Sequence, residues 1–312
     1  VLRTKLPEAR VRLRVDGSEA MEPFRNFRDR NCALAAADPS PNTAVRPDDN
    51  GDKRMDFKEL HYGVAERVAV LRFERPERMN AWTRTLETEL RQALALAEQD
   101  DEVRCIVLTG AGRAFCAGMD MEMLRTAGDG DRSSPLAEGR RYAFMDRIDK
   151  PLVAAINGAA AGVGLCLALY CDLRFVAAGA KLTAPYARRG LAAEHGSAWL
   201  LPRLIGPMHA ADLLLSGRTL LADEAERMGL ARMLPAEGFL DAVLERARDL
   251  ANATSPRSVR TMKRQLREAR TQTLLEATDL ADREIAACRG TEDFREGVQH
   301  FIEKRAPRFT GR

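Results

Sequence analysis

Two segments near residue 60, 57–62 and 68–73, alternate apolar and polar positions and predict a pair of strands with Gly63 near their turn. Residues 83–99 change period. Leu86, Leu90, Ala93, Leu94 and Ala97 recur at helical spacing. Beyond them come a strand over 103–109, a polar stretch near 126–139 and a helix over 140–148. A strand over 152–156, a helix over 163–170 and a strand over 173–177 follow. Strands alternating with helices argue for an α/β fold with parallel pairings. After Gly196 the pattern is mostly helical, over 197–205, 208–215, 222–228, 238–253, 255–269 and 271–288. An apolar and basic segment, 298–308, closes the chain.

Residues 1–54 stand apart. They carry Asp38-Pro39-Ser40-Pro41-Asn42 and Arg46-Pro47-Asp48-Asp49-Asn50-Gly51-Asp52, with little sustained apolar periodicity. Such composition buries too little apolar surface to offset its ordering entropy. The expected organisation is a flexible N-terminal extension over 1–54, an α/β core over 55–254 and a helical C-terminal region over 255–312.

An apolar fraction of 45% and a net charge of +3 are ordinary for a soluble globular protein. Lysines and arginines are interspersed with acids, which argues against nucleic acid as a partner. The six cysteines, at positions 32, 105, 116, 166, 171 and 288, follow no metal-ligand spacing and read as small buried hydrophobes. No metal site is expected. The uncharged run 152–171 is long enough for a membrane span, but Asn157, Gly158, Gly162 and Gly164 interrupt it. A buried strand, turn and helix explain it better. With no signal-peptide pattern in the first residues, a cytoplasmic location without membrane attachment is expected.

Two glycine-rich turns carry the candidate chemistry: Ala114-Phe115-Cys116-Ala117-Gly118-Met119-Asp120 and Asn157-Gly158-Ala159-Ala160-Ala161-Gly162-Val163-Gly164. Each follows a buried-strand pattern and leads into a helix-compatible one. Backbone N–H groups at such junctions bind anions, and two turns together can grip one oxyanion. No Lys-Ser/Thr pair follows either turn, so a carbonyl suits them better than a phosphate.

These turns, with several further motifs, resemble the crotonase superfamily, the enoyl-CoA hydratase/isomerase group. The motifs include Arg75-Pro76, Met79-Asn80-Ala81, Lys150-Pro151, Cys171-Asp172, Gly190-Leu191, Leu201-Pro202-Arg203 and Ser216-Gly217. Gly229-Leu230 and Phe301-Ile302-Glu303-Lys304-Arg305 complete the series, in order from about residue 57 onward. The resemblance implies a crotonase-like fold of repeated β-β-α units, usually assembled as a homotrimer or a dimer of trimers. It implies an acyl-CoA thioester ligand, with coenzyme A as part of the substrate and no separate cofactor. It also implies that the thioester oxygen is held by the backbone N–H groups of Met119 and Val163. Ala117, Gly118, Asp120 and Gly162 would then border the substrate, Asp120 chiefly by fixing its turn. Arg78 and Lys304 would meet the nucleotide end of coenzyme A, and Tyr186 would line the pocket.

One departure bears on the reaction. Hydratases of the family use two glutamates, and the matching positions here are Cys166 and Tyr186. Neither supplies a carboxylate. Glu194 does, in a Gly-Leu…Glu setting similar to the single-glutamate Δ3,Δ2-enoyl-CoA isomerases. The same glutamate also suits a helix N-terminus or an ion pair with Arg188 or Arg189. His195 is a second candidate acid or base. The expected activity is an isomerase-type proton transfer, a reaction of fatty acid metabolism, with Glu194 as base. Hydration using Glu194 and a positioned water, or acyl-CoA binding without catalysis, are the alternatives.

Overall fold

The alternating segments near residue 60 become a hairpin in the computed structural model, which describes residues 46–47, 53–127 and 141–312. Arg46–Pro47 (β1), Lys53–Asp56 (β2), Leu60–Ala65 (β3) and Val68–Phe73 (β4) pair antiparallel in that order. The strand pattern therefore starts before residue 55. Arg46, Pro47, Lys53 and Arg54, read from sequence as extension, lie in strands; the rest of 1–54 lies outside the described residues. Gly63 is not at the turn. It sits inside β3 opposite Val70, and the pairing of Ala65 with Val68 leaves Glu66-Arg67 as a two-residue turn. Both adopt the positive φ that such a turn requires, 48° and 67°.

Thr83 caps the next helix, Arg84–Gln99 (α1), its hydroxyl accepting the Leu86 N–H at 3.0 Å. The five apolar positions read at helical spacing are all buried. Two β-β-α units follow. The first is Cys105–Gly110 (β5), Ala114–Cys116 (β6) and Met121–Ala127 (α2); the second is Leu152–Ile156 (β7), Ala159–Ala161 (β8) and Val163–Leu169 (α3). Leu173–Ala177 (β9) and Lys181–Thr183 (β10) begin a third. Between the first two, Arg141–Arg147 is a 3₁₀ turn rather than the expected α-helix. Its buried Tyr142 and Met145, with Ile148 just beyond its end, recur at a spacing of three that matches the three-residue 3₁₀ repeat.

The rest of the chain is Ser197–Ile205 (α4), Pro207–Ser216 (α5), Thr219–Leu221 (β11), Ala222–Arg227 (α6), Arg232–Leu234 (β12), Phe239–Ala253 (α7), Pro256–Glu268 (α8), Leu274–Cys288 (α9) and Glu292–Glu303 (α10). The three-residue strands β11 and β12 are too short to show a period and were not expected from sequence. The closing segment 298–308 is half helix, since α10 runs to Glu303.

Each β-β-α unit sends its first strand to one sheet and its second to another. The large sheet has the order β1-β2-β3-β4-β5-β7-β9-β12, parallel from β4 onward; the small one has the order β11-β10-β8-β6. The runs 105–108 and 152–156 are continuously apolar because both faces of the large sheet are covered. Cys105, Val107, Val153 and Ala155 face Val243, Ala247 and Ala251 of α7, whereas Ile106, Leu108, Leu152 and Ala154 face the main core with α1 and α3. Cys105, Cys116, Cys166 and Cys171 are buried free thiols, and Cys288 is half-buried.

Candidate active site

The small sheet brings the two glycine turns together. β6 and β8 run parallel, with Ala114 opposite Ala159 and Cys116 opposite Ala160. A Cβ at Gly164 would collide with the Cys116 carbonyl oxygen, and one at Gly118 would stand 3.2 Å from the Ala161 oxygen. Only glycine permits this approach. Trp82 then forms an isolated parallel bridge with Met119: its N–H donates to Gly118 O at 2.8 Å, and its carbonyl accepts the Asp120 N–H at 3.0 Å. In a parallel bridge those flanking groups carry both bonds, so the Met119 N–H is turned away. Val163 opens α3, where an N–H has no intrahelical partner. Gly162 donates instead to Thr183 O at 3.1 Å, and Ala117 to Met79 O at 3.1 Å. Among the described residues neither the Met119 nor the Val163 N–H has an acceptor.

Side chains from outside the turns hold them in place. Asn80, fully buried at φ 55°, donates Nδ2 to Ala111 O at 2.9 Å and Ala114 O at 2.7 Å, and accepts the Arg75 N–H at 2.9 Å. Asn157 accepts the Gly110 N–H at 3.1 Å and donates to Gly112 O at 2.9 Å. Asp120 accepts the Glu122 N–H at 3.1 Å at the start of α2 and pairs with Arg75 at 3.3 Å. The Glu122 N–H and Arg75 together hold the Asp120 carboxyl below the usual range. It is engaged in fixing its turn.

One helical turn beyond Val163, the Cys166 thiol lies 2.9 Å from the Tyr186 hydroxyl. Burial pushes Cys166 up to about 11 and Tyr186 well above the usual phenol range. Both are neutral at pH 7. Ser197 is buried and donates Oγ to the Glu194 carbonyl at 2.7 Å. Cys166 Sγ stands 3.8 Å from that same carbonyl. The Glu194 side chain is 39% exposed, and its Oε2 is 3.5 Å from His195 Nε2. Arg188, read from sequence as a candidate ion-pair partner of Glu194, instead donates Nε to Ser216 O at 2.7 Å. The His195 ring packs edge-on against Tyr142 at 4.7 Å, and Tyr142 against Trp82 at 5.7 Å.

A family model described as Enoyl-CoA hydratase/isomerase matches residues 63–312. The chain belongs to this family. The 1,2-epoxyphenylacetyl-CoA isomerase of Escherichia coli (strain K12) is 36% identical over 266 residues, covering 83% of this chain and 100% of that protein. A probable enoyl-CoA hydratase of Rhodobacter capsulatus is 36% identical over 271 residues, with the same two coverages, 83% and 100%. The crystal structure of a probable enoyl-CoA hydratase/isomerase from Mycobacterium abscessus superposes with a TM-score of 0.76 at 35% identity, covering 81% of this chain and 99% of that one. The enoyl-CoA hydratase of Bacillus anthracis gives 0.77 at 29% identity, with coverages of 82% and 100%.

This member of the enoyl-CoA hydratase/isomerase family is thus a crotonase-fold enzyme in which Tyr186 and the Glu194 carbonyl both approach Cys166, one turn after Val163. Arg78 ends an exposed 3₁₀ turn, Pro76–Arg78, near Asp120. Lys304 caps α10 in a left-handed conformation, φ 53°, and is exposed. Three residues at the site carried no sequence signal as a group: Ser197, Tyr142 and Tyr170. Tyr170 alone had a readable one, since it lies four residues after Cys166 on the same helical face.

Proposed function

We propose that this enzyme transfers a proton within an acyl-CoA thioester, as a Δ3,Δ2-enoyl-CoA isomerase does, with Glu194 as the base. One observation carries the reading: α3 contributes a spare N–H at Val163 and, one turn later, meets the backbone of Glu194. The thioester oxygen accepts the Met119 and Val163 N–H groups. Glu194 takes a proton from C2, the electron pair spreads into a dienolate, and the oxyanion is stabilised by both donors. The same carboxyl then returns the proton at C4, leaving the double bond between C2 and C3. One carboxylate is sufficient. Cys166 and Tyr186, held neutral by burial, supply no second base, which disfavours hydration. The chemistry calls for no metal, flavin or nicotinamide.

Gly118, Gly162, Ala117 and Asp120 shape the turns in this reading, and Arg78 and Lys304 attract the coenzyme A phosphates. A trimer or dimer of trimers is supported by exposed apolar side chains on α9 and α10, including Leu274 at 85% and Phe301 at 79% exposure. The cytoplasmic location belongs to the same proposal; among the described residues no helix is long and apolar enough to cross a membrane.

Turnover of 3-enoyl-CoA and 2-enoyl-CoA by the wild type and by Glu194→Gln tests the reading. Isomerisation should dominate, and the variant should lose about 10²–10⁴-fold in kcat while binding the thioester nearly as well. Cys166→Ala and Tyr186→Phe should be much milder. Near-full turnover by Glu194→Gln would shift the base to His195, and hydration as the main reaction would favour the second reading. No turnover by the wild type despite tight binding would favour a non-catalytic acyl-CoA-binding protein.

A further inference from the structure

Two consecutive carbonyls of the Glu194–His195 segment face α3. The Glu194 carbonyl lies 3.8 Å from Cys166 Sγ, a weak contact, and the His195 carbonyl accepts the Tyr170 hydroxyl at 2.8 Å, a full hydrogen bond. Tyr170 caps the C-terminus of the helix that Val163 begins. The segment is drawn tightly onto the phenol: a Cβ at the next residue, Gly196, would stand 2.9 Å from Tyr170 Oη, and Gly196 has φ 77°. His195 has φ 54°, a left-handed conformation that a non-glycine residue holds only when its surroundings impose it. The contacts that impose it include the Tyr170 hydroxyl at the carbonyl and Tyr142 against the ring, beside the Ser197 hydroxyl at the Glu194 carbonyl. Burial raises the Tyr170 hydroxyl to about 12, so at neutral pH it remains a donor.

We infer that Tyr170 is a positioning residue for Glu194: its hydroxyl ties the His195 carbonyl to α3 and so fixes the Glu194 carboxylate relative to the Val163 N–H on that same helix. The inference rests on the reading of Glu194 as the base. Without the hydroxyl, the left-handed turn loses its hydrogen bond to α3 and the carboxylate shifts away from C2. Misplacement of a reacting group by about 1 Å costs on the order of 10²-fold in rate. Substrate binding, which uses other groups, is spared.

Tyr170→Phe in the full chain removes only the hydroxyl. Three readouts are needed: steady-state isomerisation of 3-enoyl-CoA, deuterium incorporation at C2 in heavy water, and amide hydrogen exchange across residues 194–200. The expected result is a fall of about 10- to 100-fold in kcat and in C2 exchange, with KM within about twofold. Amide exchange over 194–200 should quicken. In a Glu194→Gln background, Tyr170→Phe should add no further loss, because both act through one group. Wild-type kcat in Tyr170→Phe, an undiminished further loss in that background, or unchanged amide exchange would each overturn the inference. Full activity of Glu194→Gln alone would instead overturn the base assignment, and amide exchange would still decide whether Tyr170 holds the turn. If Tyr170→Phe folds poorly, Gly196→Ala presses on the same contact from the loop side and should give the same kcat-selective loss.

Discussion

Trp82 and Met119 meet in a single parallel bridge, and that pairing turns the Met119 N–H out of the hydrogen-bond ladder. Two residues from separate loops thereby create a donor that neither loop would present alone. The Val163 donor arises differently, as the first N–H of a helix.

That difference allows the second donor to be deleted cleanly. Proline is tolerated at the first position of a helix and lacks an N–H. Val163→Pro should therefore fold and bind acyl-CoA, yet lose about 10²–10³-fold in kcat. Steady-state kinetics with a thioester titration checks this; undiminished kcat would remove Val163 from the oxyanion site.

Asn80 is the main tie between the 75–81 loop and the first turn. Asn80→Ala leaves the Ala111 oxygen and the Arg75 N–H without their side-chain partner, and Ala114 O keeps a longer side-chain bond from Asn157 Nδ2 at 3.3 Å. It also places alanine at φ 55°. The expected loss is about 2–4 kcal/mol of stability, read by urea unfolding. A loss within about 0.5 kcal/mol would show that these groups find other partners.

Buried thiols predict alkaline sensitivity. Cys105, Cys116 and Cys171 are raised from 9.0 to about 12, and Cys166 to about 11, in each case mainly by burial. Below pH 9 both folded and unfolded thiols are protonated, and these groups contribute no pH dependence. Above it the unfolded chain releases protons that the folded one retains, so stability falls as pH rises from about 9 toward about 12. Urea midpoints at pH 8, 9 and 10, compared with a Cys105→Ala/Cys171→Ala variant, measure this. An identical pH slope in the two proteins would exclude the thiols as its source.

Lys304 provides a binding-only test. It is exposed and makes no side-chain ion pair among the described residues. Lys304→Ala should raise KM for acyl-CoA several-fold, about 1 kcal/mol, with kcat unchanged, and the effect should shrink with added salt. Unchanged KM at low ionic strength would remove it from the nucleotide end.

Much of the architecture is legible in local pattern. The strand at 152–156 and the helix ending at Gln99 have the bounds that their periods predict, because a buried face imposes its repeat on the residues that form it. The misplaced hairpin turn has an equally physical cause. Glu66-Arg67 carries no turn signature, and it turns because the β3–β4 register leaves those two residues unpaired. Strands β11 and β12 are stabilised by neighbours rather than by their own three residues.

The site divides along the same line. Glycine placement already marked the two turns, and in the structure Gly118 and Gly164 stand where a Cβ would press on the neighbouring turn. Residue identity likewise showed no carboxylate at Cys166 or Tyr186 and one at Glu194. Their mutual arrangement was not local. Whether Cys166 would meet Tyr186, whether the Glu194 backbone would rest on α3, and whether Tyr170 would reach the His195 carbonyl depend on how the 186–197 segment folds back onto a helix twenty or more residues earlier. Hydrogen bonds across such separations form only after the sheets have paired and the core has closed. A one-dimensional pattern records which groups a site contains, and packing sets which of them touch.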